Sequence, residues 1–432
     1  MLGPYGDVLR RPGALAFSAA GALARLPMSM VGIGIVLMVS ALYDSYGLAG
    51  RVSAVYVIAQ AVCSPQLSRL VDRHGQARVM RPAVAVSAAG LVGLVVAALA
   101  DAPEVILYVT ATVTGAAIGS FGSLVRARWS STLSDPRQLH TAYALESAVD
   151  ELVFVVGPVA ATLLATGVDP TAGLVVPLVA MVVGGYWFCA LRATEPPVAP
   201  KGQPRPRGSV LRTPAMLVLV LVFVAMGSIF GANDVSTVAF AEEAGHKNLA
   251  GPVLAVFAAG SLIAGLLYGT RHWKRPLHQR FANGMIALAV GVSLFFLVDS
   301  LWALAAVMFV TGFAIAPTLI NGNALVQQLV PAERLTEGLT WIGTALGVGV
   351  SVGSSVAGAR IDAEGSHAGF LVVVVSAVVA VVAVLASYRT LRGDHTGHVH
   401  DAVEDGSPSA TAGAAVAATE LAECVEPDRS GR

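Results

Sequence analysis

Twelve stretches of this chain are each apolar over the length of a bilayer crossing. They fall as six, a basic Pro-rich stretch, and six more. About 20 apolar residues cover a hydrocarbon core of roughly 30 Å. In that medium the backbone must satisfy its own hydrogen bonds, so only helices and closed barrels persist. The composition agrees: 55% of residues are hydrophobic and 12% charged, the latter about half the share of a soluble protein. Predicted segments 1 to 6 are Ala14–Ala41, Leu48–Leu67, Ala83–Ala100, Val105–Val125, Ala142–Ala165 and Ala172–Leu191. Segments 7 to 12 are Ala215–Phe240, Leu249–Thr270, Phe281–Val298, Leu301–Leu325, Gly338–Gly358 and Ala368–Tyr388.

The formal net charge is zero, so no global field draws in nucleic acid. The charges are sorted by position instead. With the N-terminus inside, inner loops carry Arg69, Arg73, Arg78, Arg81, Arg126, Arg128, Arg137, Arg271, Lys274, Arg275, Arg280, Arg334, Arg389 and Arg392. Outer loops carry only Arg51, Lys247 and Arg360. This asymmetry predicts a multi-pass protein of the inner (plasma) membrane with both termini cytoplasmic. Arg10 and Arg11 precede an apolar run too long for a signal peptide, which reads as an uncleaved first helix. Cys63, Cys189 and Cys424 cannot build a disulfide framework. Trp187, Trp273, Trp302 and Trp341 lie near segment ends and read as interface anchors.

The expected organisation is a six-helix bundle over 1–191, a cytoplasmic basic linker over 192–213, a second bundle over 214–392 and a tail over 393–432. The linker contains Pro196, Pro197, Pro200, Pro204 and Pro206 and reads as an extended tether on an anionic leaflet. The tail is small, polar and acidic and cannot bury a core. Its His395, His398 and His400 have no further ligands nearby, so no metal site is expected. The halves echo each other: from Leu139 and Leu335 onward an offset of 196 residues sets Gly157 opposite Gly353. The fold class is therefore an all-α membrane protein, with twelve transmembrane helices in two pseudo-symmetric six-helix bundles. Paired repeats of this kind place a substrate site at their interface near the midplane.

The loop between segments 2 and 3 reads Ser68-Arg-Leu-Val-Asp72-Arg73-His-Gly75-Gln-Ala-Arg78. It resembles the Gly-x-x-x-Asp-Arg-x-Gly-Arg-Lys/Arg pattern of the major facilitator superfamily. Asp72, Arg73 and Gly75 match; Ser68 and Gln76-Ala77 depart from it. In that family the loop locks the two halves together on the cytoplasmic side, so the resemblance implies a gating role for Asp72, Arg73 and Gly75. Segment 5 carries Gly157-Pro158, which is similar to the Gly-Pro motif on helix 5 of family exporters. Pro158 removes a helix hydrogen bond, and Gly157 admits a close neighbour. The chain is similar to actinobacterial efflux-type members. One departure is that Ala111 stands four residues before Gly115 on segment 4, where many proton-coupled exporters carry Arg. No buried base is expected on that segment.

Ionisable residues inside a span are costly and usually face a cavity or a partner. Arg25 lies near the midplane of segment 1, where it could bind an anionic group or balance a carboxylate. Segment 5 carries Glu146, Asp150 and Glu151. Glu146 is expected to pair with Arg73, Arg126 or Arg128 at the inner surface. Asp150 and Glu151, with Arg25 as counter-charge, are the candidates for proton coupling. Asn233 and Asp234 on segment 7 and Asn321 on segment 10 are candidates for the substrate cavity. Gly343-x-x-x-Gly347 and Gly349-x-x-x-Gly353 are expected as helix-packing surfaces.

No nucleotide loop, zinc helix or nucleophile elbow stands out, so no enzyme activity and no cofactor is expected. The expectation is a monomeric secondary active transporter, with a small-molecule substrate, protons and membrane lipid as partners and no nucleic acid. It would export a drug-like molecule or natural product by alternating access, with proton antiport. The alternatives are a proton symporter importing a sugar, nucleoside or organic acid, and a non-transporting membrane sensor.

Overall fold

A computed structural model describes residues 3–198, 209–246, 249–271 and 273–392. The middle of the basic linker and the tail, including His395, His398 and His400, lie outside the described residues. Among the described residues the regular elements are all helical. A short helix, α1 (Gly3–Leu9), precedes α2 (Ala14–Tyr43), α3 (Tyr46–His74), α4 (Gln76–Leu99), α5 (Glu104–Ala117), α6 (Phe121–Thr132), α7 (Pro136–Gly167) and α8 (Ala172–Ala190). After the linker come α9 (Pro214–Glu243), α10 (Ala250–Gly269), α11 (Leu277–Ser293), α12 (Leu301–Gly312), α13 (Ile315–Leu329), α14 (Leu335–Glu364), α15 (Ser366–Ala386) and α16 (Tyr388–Arg392).

Twelve spans are long and apolar enough to cross a membrane. The fourth is α5 and α6 in series, the tenth α12 and α13. The fourth breaks at 118–120, where Gly119 takes φ +68° and only a residue without Cβ is unstrained. Beyond the break the helix resumes and carries Arg126 and Arg128 inside the fold, both buried. This corrects the expectation that the span ends at Val125 and holds no buried base. Loop-like charge had hidden a helix whose arginines find acceptors within the bundle.

The buried apolar residues fall into two clusters. One is built on α1 to α8 with three residues from the other half, Tyr268, Ala316 and Ile320. The other runs from Val210 to Leu391. Large apolar side chains remain exposed around the periphery, such as Leu163, Val310 and Val290. In water such a surface would associate; against lipid tails it is already solvated.

The helices approach each other through glycine. A Cβ on Gly227 or Gly231 of α9 would overlap the carbonyls of Leu346 and Val350 on α14. Gly349 and Gly353 meet Val224 and Ser228 from the other side. Gly343 and Gly347 have no heavy atom within 4 Å of such a Cβ, so only the second of the two expected Gly pairs packs. Gly343 and Gly347 are exposed, on a different face of the helix from the α9 contact. Trp341, expected at the membrane interface, instead packs against the second core with its indole N–H buried and unpartnered.

Candidate functional site: a buried charge network above an interlocked seam

Both ends of the described chain and the basic loops lie at one end of the molecule, the basic end. A set of hydrogen bonds from one six-span half to the other lies there. Asp72, in the last turn of α3, accepts from the backbone N–H of Glu337 at 2.9 Å, filling an otherwise unsatisfied donor in the first turn of α14. Glu337 in turn accepts from Arg69 Nε at 2.6 Å, Arg334 at 2.9 Å and Ser209 Oγ at 2.9 Å. Ser68 and Thr340 hydroxyls meet at 2.8 Å, and Gln327 donates to Ser130 at 3.2 Å. Across the α7–α10 seam, Thr141 donates to Gly269 O at 2.8 Å and the His140 ring to Tyr268 O at 3.2 Å. Tyr5 of α1 donates to Leu266 O at 2.7 Å. Burial pushes the Tyr5 phenol up to about 12, so it stays a donor.

Gly75 joins α3 to α4 at φ +92°, and a Cβ there would lie 2.8 Å from the Glu195 carboxylate. That carboxylate accepts from Ala77 N at 2.9 Å, tying the turn to the start of the linker. Arg73 is exposed and makes no ion pair among the described residues. Gln76, which stands where the family pattern has a base, donates to Leu124 O and accepts from Arg128 Nε at 2.7 Å.

Further from the basic end, the first half holds four charges in one network. Arg25 is 1% exposed and Glu146 fully buried, and the two are paired directly. Arg25 also donates to Asp150 at 2.7 Å, and Arg126 holds the other Asp150 oxygen at 2.8 Å. Glu146 takes two more bonds, from Ser18 Oγ and Trp129 Nε1, each at 2.7 Å. Two guanidinium groups thus face two carboxylates, and both acids have all their oxygens engaged. A buried pair with this many hydrogen bonds can offset its desolvation, whereas losing one member leaves an uncompensated charge. Glu146 therefore does not pair with Arg73, Arg126 or Arg128 at the surface as expected, but with Arg25, while Arg126 goes to Asp150. The α7 helix turns it inward, toward α2 and α6. Gly21 and Gly122 permit this crowding: a Cβ on Gly21 would overlap Val125, and one on Gly122 would lie 3.3 Å from Arg126.

Glu151, about 100° around the helix from Asp150, leaves the network and faces Ser261 of α10, across the seam. No ion pair reaches it among the described residues. A turn and a half further on, Gly157 presses on Ser29 of α2, whose hydroxyl donates to Val153 O at 2.9 Å. Pro158 follows inside the same unbroken helix.

In the second half, Asn233 is fully buried, with neither amide atom in a geometric hydrogen bond among the described residues, while the adjacent Asp234 is exposed. Asn321, expected in a central cavity, instead bonds the Tyr268 hydroxyl at 2.8 Å and lines a lateral groove between α10, α11 and α12–α13. Glu337 is a residue that the sequence left without a role. Its signal was an acid in the first turn of a helix, three residues after Arg334.

Two six-span halves are interlocked at one end, with four buried charges in the first; with the family match that follows, this makes the chain a membrane secondary transporter rather than an enzyme. The chain belongs to the Major Facilitator Superfamily, whose model matches residues 17–282 and 281–418. No curated protein matches it. Among solved structures it is similar to the human organic anion transporter MFSD10 (TETRAN), with a TM-score of 0.67 at 14% identity, covering 88% of this chain and 99% of that one. A bacterial homologue of the iron transporter ferroportin in an outward-facing state aligns with a TM-score of 0.70 at 12% identity, over 86% and 98% of the two chains. The E. coli fucose:proton symporter aligns at 0.67 and 12%, over 90% and 100%. At these identities the likeness is one of fold.

Proposed function

We propose that this chain exports a small organic molecule across the inner membrane in exchange for protons, working as a monomer with both termini cytoplasmic. The basic end is then the cytoplasmic side, and the interlocked seam leaves the cavity open outward. The bundles 1–191 and 214–392 rock about the midplane, with 192–213 as the tether between them. Asp72 and Gly75 close the cytoplasmic gate through Glu337 and the α3–α4 turn, with Arg73 free at the surface to meet lipid phosphate. Gly157 and Pro158 set the close contact and the bend on which α7 pivots against α2.

The observation that carries the reading is the division of labour between adjacent acids. Asp150 is clasped by Arg25 and Arg126 and keeps the network neutral. Glu151 sits on the seam that must open, facing a hydroxyl and no cation. A carboxyl there meets water in one state and protein in the other, which is the setting for loading and releasing a proton. Arg25 and Asp150 then couple the proton to the cavity, and Asp234 and Asn233 offer the polar contacts of the second half. A cavity between spans this apolar in composition suits an amphipathic substrate.

The test is substrate-evoked proton flux in liposomes holding a pH-sensitive dye, with a panel of drug cations, organic anions, sugars and nucleosides. Glu151→Gln is expected to abolish flux while the protein stays folded. Undiminished flux in that variant overturns the assignment. Protons moving with the substrate rather than against it would make the chain a symporter.

A further inference from the structure

A lateral groove of about 1140 Å³ lies between α10, α11 and the broken tenth span. It does not touch the buried charge network. Its basic-end mouth is formed by Lys274, Arg275 and Arg280 beside Trp273, and among the described residues its lining includes no acid. Among the described residues the Arg280 Nε is buried without a hydrogen-bond partner, and its guanidinium reaches the Tyr268 hydroxyl at 3.4 Å. Away from the mouth the walls are apolar: Val290 and Leu294 on one side, Val310 and Phe313 on the other, each exposed on the periphery. From Arg280 to Leu294 the helix rises about 21 Å, enough to span one leaflet's share of the hydrocarbon core, about 15 Å, and the headgroup side of it. A cationic mouth with an interfacial Trp, continued by an apolar trough one leaflet deep, has the charge and length of one kind of molecule.

We propose that this groove binds an anionic phospholipid of the inner leaflet. Its phosphate sits against Lys274, Arg275 and Arg280, and an acyl chain lies between α11 and α12. The position gives the lipid a grip on the seam. Tyr268 lines the groove, and its ring stacks on Trp273 at 4.4 Å between centroids. Its carbonyl is also the acceptor for His140 of α7. A lipid that orders Tyr268 and Trp273 favours the closed α7–α10 contact.

Full-length protein in nanodiscs of phosphatidylglycerol or phosphatidylcholine with identical chains provides the test, with bound lipid counted by native mass spectrometry after release. Phosphatidylglycerol should be retained in preference. The exposed pair Lys274→Gln and Arg275→Gln should cut that preference about 30-fold, at about fivefold per basic residue. Val310→Trp, which fills the trough, should lower retention of both lipids. Equal retention of the two lipids by the parent protein, or an undiminished preference in the double variant, overturns the site. Displacement of the lipid by free glycerol phosphate would show an anion site and overturn the phospholipid assignment. For the seam, Ser130→Cys with Gln327→Cys should cross-link faster in phosphatidylglycerol than in phosphatidylcholine, and lose the difference when Lys274 and Arg275 are neutral. Equal rates in the parent overturn the lipid's hold on the seam.

Discussion

The helix pair α2/α7 and its counterpart α9/α14 have the same geometry and opposite chemistry. Gly157 of α7 presses on Ser29 of α2, and Gly353 of α14, 196 positions later, presses on Ser228 of α9. One turn before each serine stands Arg25 in the first pair and Val224 in the second. Opposite them, Asp150 in the first pair corresponds to Leu346 in the second. The first pair is fastened by ion pairs and side-chain hydrogen bonds. The second is fastened by glycines laid on backbone carbonyls. A duplicated scaffold thus keeps its packing in both copies while its charge is concentrated in one. The charged copy is where chemistry is expected, and the glycine copy is where a tight, uncharged pivot is expected.

Substitutions can break this contrast, and the largest effect should come from the charged pair. Arg25→Met leaves Glu146 buried without its cation and should cost about 3–5 kcal/mol, seen as a fall in thermal stability in detergent. A melting point equal to the parent's would mean that the network is not what fastens α2 to α7. Next is the glycine pair: Gly227→Val drives a branched side chain into the Leu346 carbonyl and should cost about 1–3 kcal/mol. Proton flux per folded molecule should survive that change, unlike the loss expected at Glu151. A variant that folds normally but loses flux would move coupling into the second half.

Smaller effects should sharpen the comparison between the two ends of the molecule. Asp72→Ala removes the acceptor at the start of α14 and should cost about 1 kcal/mol, with faster alkylation of a cysteine placed at Thr340. Unchanged alkylation would argue against a gate there. Tyr5→Phe removes one bond between α1 and α10 and should cost about 0.5–1.5 kcal/mol. The Tyr5 phenol is raised from an ordinary value near 10 to about 12 in the fold. Its contribution should be complete below pH 10 and fade as pH rises toward 12, and the phenylalanine variant should lack that dependence.

Much of the architecture was legible in the chain. The spans, their six-and-six grouping, the Gly157/Gly353 correspondence and the Asp72–Gly75 turn could all be read from contiguous residues. The partners of the charges could not. Glu146 looked like a surface acid because Arg126 and Arg128 looked like loop bases, and all three are buried. Asn321 sits on an apolar helix that sequence placed in the central cavity, and its contact with Tyr268 puts it in the lateral groove. Gly343 and Gly347 show the same small-residue spacing as Gly349 and Gly353, yet only the second pair meets a neighbour.

Sequence by itself determined what depends on neighbours along the chain: which segments are apolar for long enough to cross a membrane, which loops are basic, and which turn needs a glycine. The tertiary structure alone decided which charges meet. Whether Asp150 is clasped while Glu151 faces a hydroxyl depends on one helix's rotation about its axis, set by packing against segments over a hundred residues away. Adjacent residues differ there by about 100°, and that angle separates a buried ion pair from a group facing the other half.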